Sequence, residues 1–260
     1  GGGMSKLSLN DFYKTDIAEF TTYSHNPSDL FSISDDRIYY MLIDKDNNFW
    51  IATHGGGLNL FDRSEKIFTS FRSDKNKIGT LSDDRLMVIS ETKDDKLLIG
   101  TFGGGIDLFD PKTITFTNIN KMNGMDCSDV YAIVDDSISG YWLSSNNGIF
   151  KLDYDLKSYV RYGLLDGLQS LEFNGGASFK SQDGLIYFGG INGINYFNPS
   201  EIKIDNFNAP IVITKIKLFD KEIKGAKTNL TFTKDENYFS FEFASLDYKK
   251  CGKNKYKFIL

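Results

Sequence analysis

The sequence predicts an all-β protein: β-propeller blades, incomplete at about four blades plus part of another, followed by the first strands of an Ig-like β-sandwich. Three observations carry this. Residues 50–62 (Trp-Ile-Ala-Thr-His-Gly-Gly-Gly-Leu-Asn-Leu-Phe-Asp) return 48 positions later at 98–110, and shortened copies follow at 142–153 and 187–197. Repeats of this length, made of short β-runs closed by Gly-rich turns, mark propeller blades. Aromatic residues form 15% of the chain, with 22 Phe and 14 Tyr, which suits half-buried pleated strands. Stretches with helical periodicity are almost absent.

Taken in order, residues 1–4 read as a cloning remnant, 5–205 as propeller and 206–260 as the N-terminal part of the sandwich. Phe20 and Tyr23 precede Phe68 and Phe71 by 48 positions, so residues 19–23 read as the outer strand of a blade. The first full repeat spans 38–71. The second shows the logic: 86–89 is apolar on both faces, as an innermost strand should be, and 96–100 follows the polar turn Asp94-Asp95. Residues 105–109 alternate, and 113–117 form the outer strand after Asp110-Pro111-Lys112. A third repeat runs over 130–162 and a less regular fourth over 177–197. Trp50, Leu98, Trp142 and Tyr187 hold one repeat position, which predicts burial between blades. Beyond Pro199 the period is lost; 210–219, 230–233, 238–243 and 255–260 read as strands of another rhythm, with Phe239, Phe241 and Phe243 on one face. Counting blades makes the chain an open arc, expected to be part of a larger closed ring or to pair with a second copy.

Composition removes several function classes. The formal charge is −5 and no basic cluster interleaves with the aromatics, so nucleic acid is not an expected partner. No apolar run reaches the roughly 18 residues of a membrane span. Cys127 and Cys251 lack CxxC spacing and read as free thiols. The Gly-Gly-Gly turns lead into strands, where a phosphate loop must open a helix. Asp44, Asp46 and Asn48 have calcium-loop spacing, but Phe49 and Gly55 stand where that loop needs Gly and Glu. Neither metal nor cofactor is expected, and no catalytic residue is assigned.

Strands of a blade alternate in direction, so the turn after the second strand emerges beside the segment leading into the first. This places Arg37, His54, Arg85, Phe102, Asn146, Asn147 and Asn192 on one rim. Amides and charged groups beside aromatic rings suit a polyhydroxyl ligand, whose hydroxyls need donors and acceptors together while its C–H faces stack on rings. The alternative is that these polar loops only solvate a surface. Asp36 and Asp84 recur at one position, as structural turn residues do; carboxylates gathered from different blades for glycoside cleavage leave no trace in spacing.

Residues 46–62 and 94–110 resemble the two-component regulator propeller repeat, and 174–177 with 184–199 look like that propeller's final blade. Residues 236–248 and 254–258 resemble the start of the Y_Y_Y domain that follows it. The resemblance implies the periplasmic ectodomain of an inner-membrane hybrid two-component sensor. It would bind an oligosaccharide, associate as a homodimer, and relay the signal to a histidine kinase outside this chain, meeting the membrane only through parts absent here. A protein-interaction scaffold and a carbohydrate-active propeller enzyme are the alternatives.

Overall fold

The computed structural model describes residues 2–202, 210–223 and 230–245, which divide into two compact units at Ile202/Lys203. The first unit opens with a two-stranded antiparallel sheet of β1 (Met4–Leu7) and β2 (Phe20–Tyr23), joined through α1 (Leu9–Thr15). Three four-stranded antiparallel blades follow in meander order. Blade 1 is β3 (Ile38–Ile43), β4 (Phe49–Thr53), β5 (Gly57–Asp62) and β6 (Ile67–Phe71). Blade 2 is β7 (Leu86–Glu91), β8 (Leu97–Thr101), β9 (Ile106–Asp110) and β10 (Thr115–Asn118), after which comes α2 (Ile119–Asn123). Blade 3 is β11 (Val130–Asp135), β12 (Gly140–Ser145), β13 (Gly148–Asp153) and β14 (Tyr159–Tyr162). Blade 4 has three strands among the described residues, β15 (Phe173–Lys180), β16 (Ile186–Gly190) and β17 (Gly193–Phe197). The repeat period is therefore the blade period, although α1, α2 and the two short 3₁₀ turns at Leu164–Asp166 and Pro199–Glu201 interrupt an otherwise all-β reading.

Each inner strand carries a register shift at one place, between Ile38/Tyr40, Leu86/Val88 and Val130/Ala132, and across Phe173/Ser178 in blade 4. A bulge at this point leaves Tyr39, Met87 and Tyr131 outside the ladder and re-aims their side chains. The turns of blade 1 show why the Gly run is needed. Gly57 has φ +76, and a Cβ there would lie 2.2 Å from the Phe71 carbonyl oxygen, so only Gly fits between β5 and β6.

Apolar faces meet between consecutive blades. Ile51, Phe61 and Phe68 of blade 1 pack with Met4 and Tyr23, which seats the β1–β2 sheet where an outer strand of a preceding blade was expected. Met4 is thus an integral strand residue. Trp50 is buried between blades 1 and 2 with its ring 5.6 Å from Phe109; Leu98 is buried between blades 2 and 3; Trp142 is buried between blades 3 and 4, 4.5 Å from Phe197. Tyr187 departs from the expectation. It holds the same strand position but is only half-buried, stacked on Tyr196 at 5.6 Å, because no further blade covers that face among the described residues. Phe179, Ile194 and Tyr196 beside it are exposed.

In the second unit β18 (Ile211–Leu218) pairs antiparallel with β19 (Lys221–Glu222) and β20 (Phe239–Ser245). Lys215 and Lys217 both reach Glu242, at 3.3 and 2.8 Å. Residues 230–233, expected as a strand, lie outside any strand, and Phe232 stacks on Phe239 instead. The expected strand at 255–260 falls outside the described residues.

Candidate functional site

The rim is built from backbone first. The Gly55 and Gly57 N–H groups both donate to the Asp84 carbonyl at 3.0 Å, so the turn of blade 1 is fastened to the segment leading into blade 2. Gly103 and Gly105 do the same to Ser128 at 3.0 and 2.7 Å, and Gly148 to Leu171 at 2.7 Å. The Gly-rich turns lead into strands and act as staples between blades. Just beside them, the His54 N–H donates to the Arg37 carbonyl, the Phe102 N–H to Arg85 and the Asn146 N–H to Asp129. These bonds and the bridges His54–Arg85 and Phe102–Asp129 run the candidate residues together along one edge of blades 1 to 3.

Their side chains form a ladder. Tyr39 stacks on His54 at 4.7 Å and 21°, His54 lies 5.9 Å from Phe102, and the Arg85 guanidinium sits 5.2 Å from the Phe102 ring centre. Phe102 keeps 36% of its surface exposed and Tyr39 51%, so the rings of the ladder are open to solvent. Such rings accept the apolar face of a ligand, and the cation over one of them fixes its plane.

The arginines are not free cations. Arg37 makes a bidentate pair with Asp35, Nε to Oδ1 at 3.1 Å and Nη2 to Oδ2 at 2.9 Å; Arg85 does so with Asp83 at 2.8 and 2.7 Å. The Arg37 hydrogen bond holds the Asp35 carboxyl below its ordinary range. Burial works to raise Asp83, but the bonds from Arg85 outweigh it and the net shift is downward. Asp36 and Asp84 serve as turn residues: each accepts a backbone N–H from the preceding repeat, His25 and Ser73 respectively, at 2.6 Å.

Blades 3 and 4 add groups that spacing did not single out. Asp129 is raised by burial, with Glu172 nearby adding to it, and Tyr131 donates its hydroxyl to Glu172 at 2.5 Å. Burial, then the Glu172 carboxylate, raises Tyr131 as well. A signal for Tyr39 and Tyr131 did exist, since both stand one residue after the start of an inner strand, at the bulge. Asn146 is held by the Asp129 N–H and the Ser128 hydroxyl. Asn147 turns outward to Asp126 and Arg161, and Asn192 is tied to Gln169, so these two stand apart from the ladder. Among the described residues no group of His, Cys, Asp or Glu forms a metal cluster, and Cys127 is a buried thiol pushed up to about 11 by burial.

The family model of the two component regulator propeller matches residues 32–55. A curated relative, "Histidine kinase P4" of Formosa agariphila, is 27% identical over 259 residues, which is 95% of this chain and 19% of that protein. The extracellular domain of the putative hybrid two component system BT3049 from B. thetaiotaomicron superposes with TM-score 0.62 at 21% identity, over 89% of this chain and 32% of that one. The extracellular domain of the putative one component system BT4673 from B. thetaiotaomicron gives 0.58 at 18%, over 96% and 33%. The chain therefore spans about a fifth of the curated relative and about a third of each solved structure.

Proposed function

We propose that this chain, which carries two-component regulator propeller repeats, is part of the extracytoplasmic ligand-sensing region of a hybrid two-component sensor, placed in the periplasm. Its rim takes up an oligosaccharide, and the signal passes to a histidine kinase outside these residues through a homodimer. The Tyr39–His54–Phe102 ladder supports this best, since exposed ring faces flanked by amide and carboxylate groups match the alternating faces of a sugar. Recognition here is binding without turnover. A ligand then acts by favouring one of two arrangements of the sensor, and the kinase reads the shifted population.

A glycan-array screen of the 260-residue chain, followed by calorimetry on the hits, tests the reading. Phe102→Ala is expected to weaken the best hit on the order of tenfold, the contribution of one stacked ring. Stoichiometric capture of a protein with no glycan bound would favour a scaffold instead. Release of shortened sugar would mean an enzyme.

A further inference from the structure

The loop of residues 73–81, between blades 1 and 2, is a copy of the loop 48 positions earlier. In the later copy the Asp74 N–H donates to the Thr80 hydroxyl at 3.1 Å, that hydroxyl donates to the Asp74 carbonyl at 3.2 Å, and the Lys77 N–H donates to Asp74 at 3.0 Å. The earlier copy repeats every bond with Asn26, Ser32 and Asp29, at 3.0 Å each. Both loops are tied to an outer strand, Phe116 N–H to Gly79 and Phe68 N–H to Phe31. The two loops thus share one hydrogen-bond frame, differing where Gly79 takes φ +80 in place of Phe31, yet Lys75 and Lys77 stand where the earlier copy has Pro27 and Asp29. Lys121, on α2, corresponds to Ser73 of the repeat before it. Nothing in the loop's construction requires lysine.

The three lysines line one cleft of about 910 Å³, floored by Leu81 and Phe116 and reaching Gly55 and Arg85 at the rim. The other charges along it are largely cancelled, since Arg85 is held by Asp83 and Asp84 is paired with Arg72 at 3.2 Å. What is left is Lys75, Lys77 and Lys121 against Asp74. Among the described residues, no ion pair engages any of the three ammonium groups.

We propose that this cleft is a second subsite, which binds an acidic substituent, a carboxylate or a sulfate, on a saccharide whose neutral part lies on the rim ladder. The inference rests on the oligosaccharide reading above and adds to it the charge class of the ligand. Three exposed lysines lining one partly enclosed cleft with an apolar floor raise the local concentration of an anion, and the attraction falls with salt.

The test uses the 260-residue chain and three tetrasaccharide probes: one of uronic acids, one O-sulfated, one neutral. Calorimetry is expected to show at least one acidic probe binding tighter than the neutral one. The advantage should be on the order of tenfold, shrink between 50 and 500 mM NaCl, and vanish in Lys75→Pro/Lys77→Asp/Lys121→Ser, which installs the residues of the neighbouring repeat. The two acidic probes separate carboxylate from sulfate. Equal binding of all three probes overturns the inference and leaves the oligosaccharide reading standing, whereas binding of none overturns both. Because the matching loop folds with Pro27 and Asp29 and Lys121 is exposed, the triple variant is expected to keep the wild-type melting temperature. If it does and the acidic preference survives, the cleft is not the subsite.

Discussion

Asp136 shows how much a single buried carboxylate can organise. Its Oδ1 accepts the N–H groups of Ile138, Ser139 and Gly140 at 2.7, 2.7 and 3.0 Å, and its Oδ2 accepts the Trp142 indole N–H at 3.1 Å. Burial works against the charge, but these donors overcome it and bring the pKa from the usual 3.8 to about 2. With the folded value below the unfolded one, its contribution is complete above the unfolded pKa and is lost as pH falls through the folded one. Wild type should therefore lose stability to urea across this window, and Asp136→Asn should lose less. Identical slopes in the two proteins would contradict the assignment. The sequence carried this in plain view, because Asp44 and Asp136 each stand six residues before a Trp, yet the spacing of Asp44, Asp46 and Asn48 invited a comparison with calcium loops. By contrast, nothing in the spacing showed that Arg37 and Arg85 are consumed by Asp35 and Asp83, because pairing two residues apart depends on the path of a loop.

At the scale of the strand hairpin, two solutions to one packing problem coexist. Blades 1 and 3 bury Trp50 and Trp142 over Asp44 and Asp136, with the Trp50 indole 2.7 Å from Asp44. Blade 2 buries Leu98 with Thr92 in the aspartate's place, where the Thr92 hydroxyl accepts the Lys96 N–H. Trp50→Ala is expected to cost about 3–5 kcal/mol by emptying the site. Trp50→Leu should cost less, and adding Asp44→Thr should recover about 1 kcal/mol of it, since the aspartate no longer lacks an indole partner. Additive losses in thermal denaturation would show that the two positions are independent. The hairpins were legible because turn chemistry and period agree at each of them. Blade 4 was misread at Tyr187 because burial belongs to the pair of blades, and a repeat position alone does not say whether its neighbour is present. The residues at 230–233 have strand composition but form no strand among the described residues.

For the first unit as a whole, the uncovered face of blade 4 is the largest departure from the repeat's own logic. Phe179, Tyr187, Ile194 and Tyr196 form a contiguous apolar surface of the kind that seldom stays in water. The 260-residue chain is expected to bind a hydrophobic dye and to self-associate with concentration in sedimentation, and Tyr196→Lys should lessen both. A monomer silent to the dye would show that this face is covered.

The staples between blades have a consequence for descent. Blades 1 and 2 each offer two N–H donors from the Gly turn to one carbonyl of the next repeat, Asp84 and Ser128, and blade 3 offers one to Leu171. Plug and socket travel together in each unit of 44 to 48 residues, so duplicating or deleting a whole unit between matched joints leaves those joints mated. Propellers of different blade number can thus arise in a single recombination step, and a copy once made is free to take residues its sibling lacks, as the loop with Lys75 and Lys77 has.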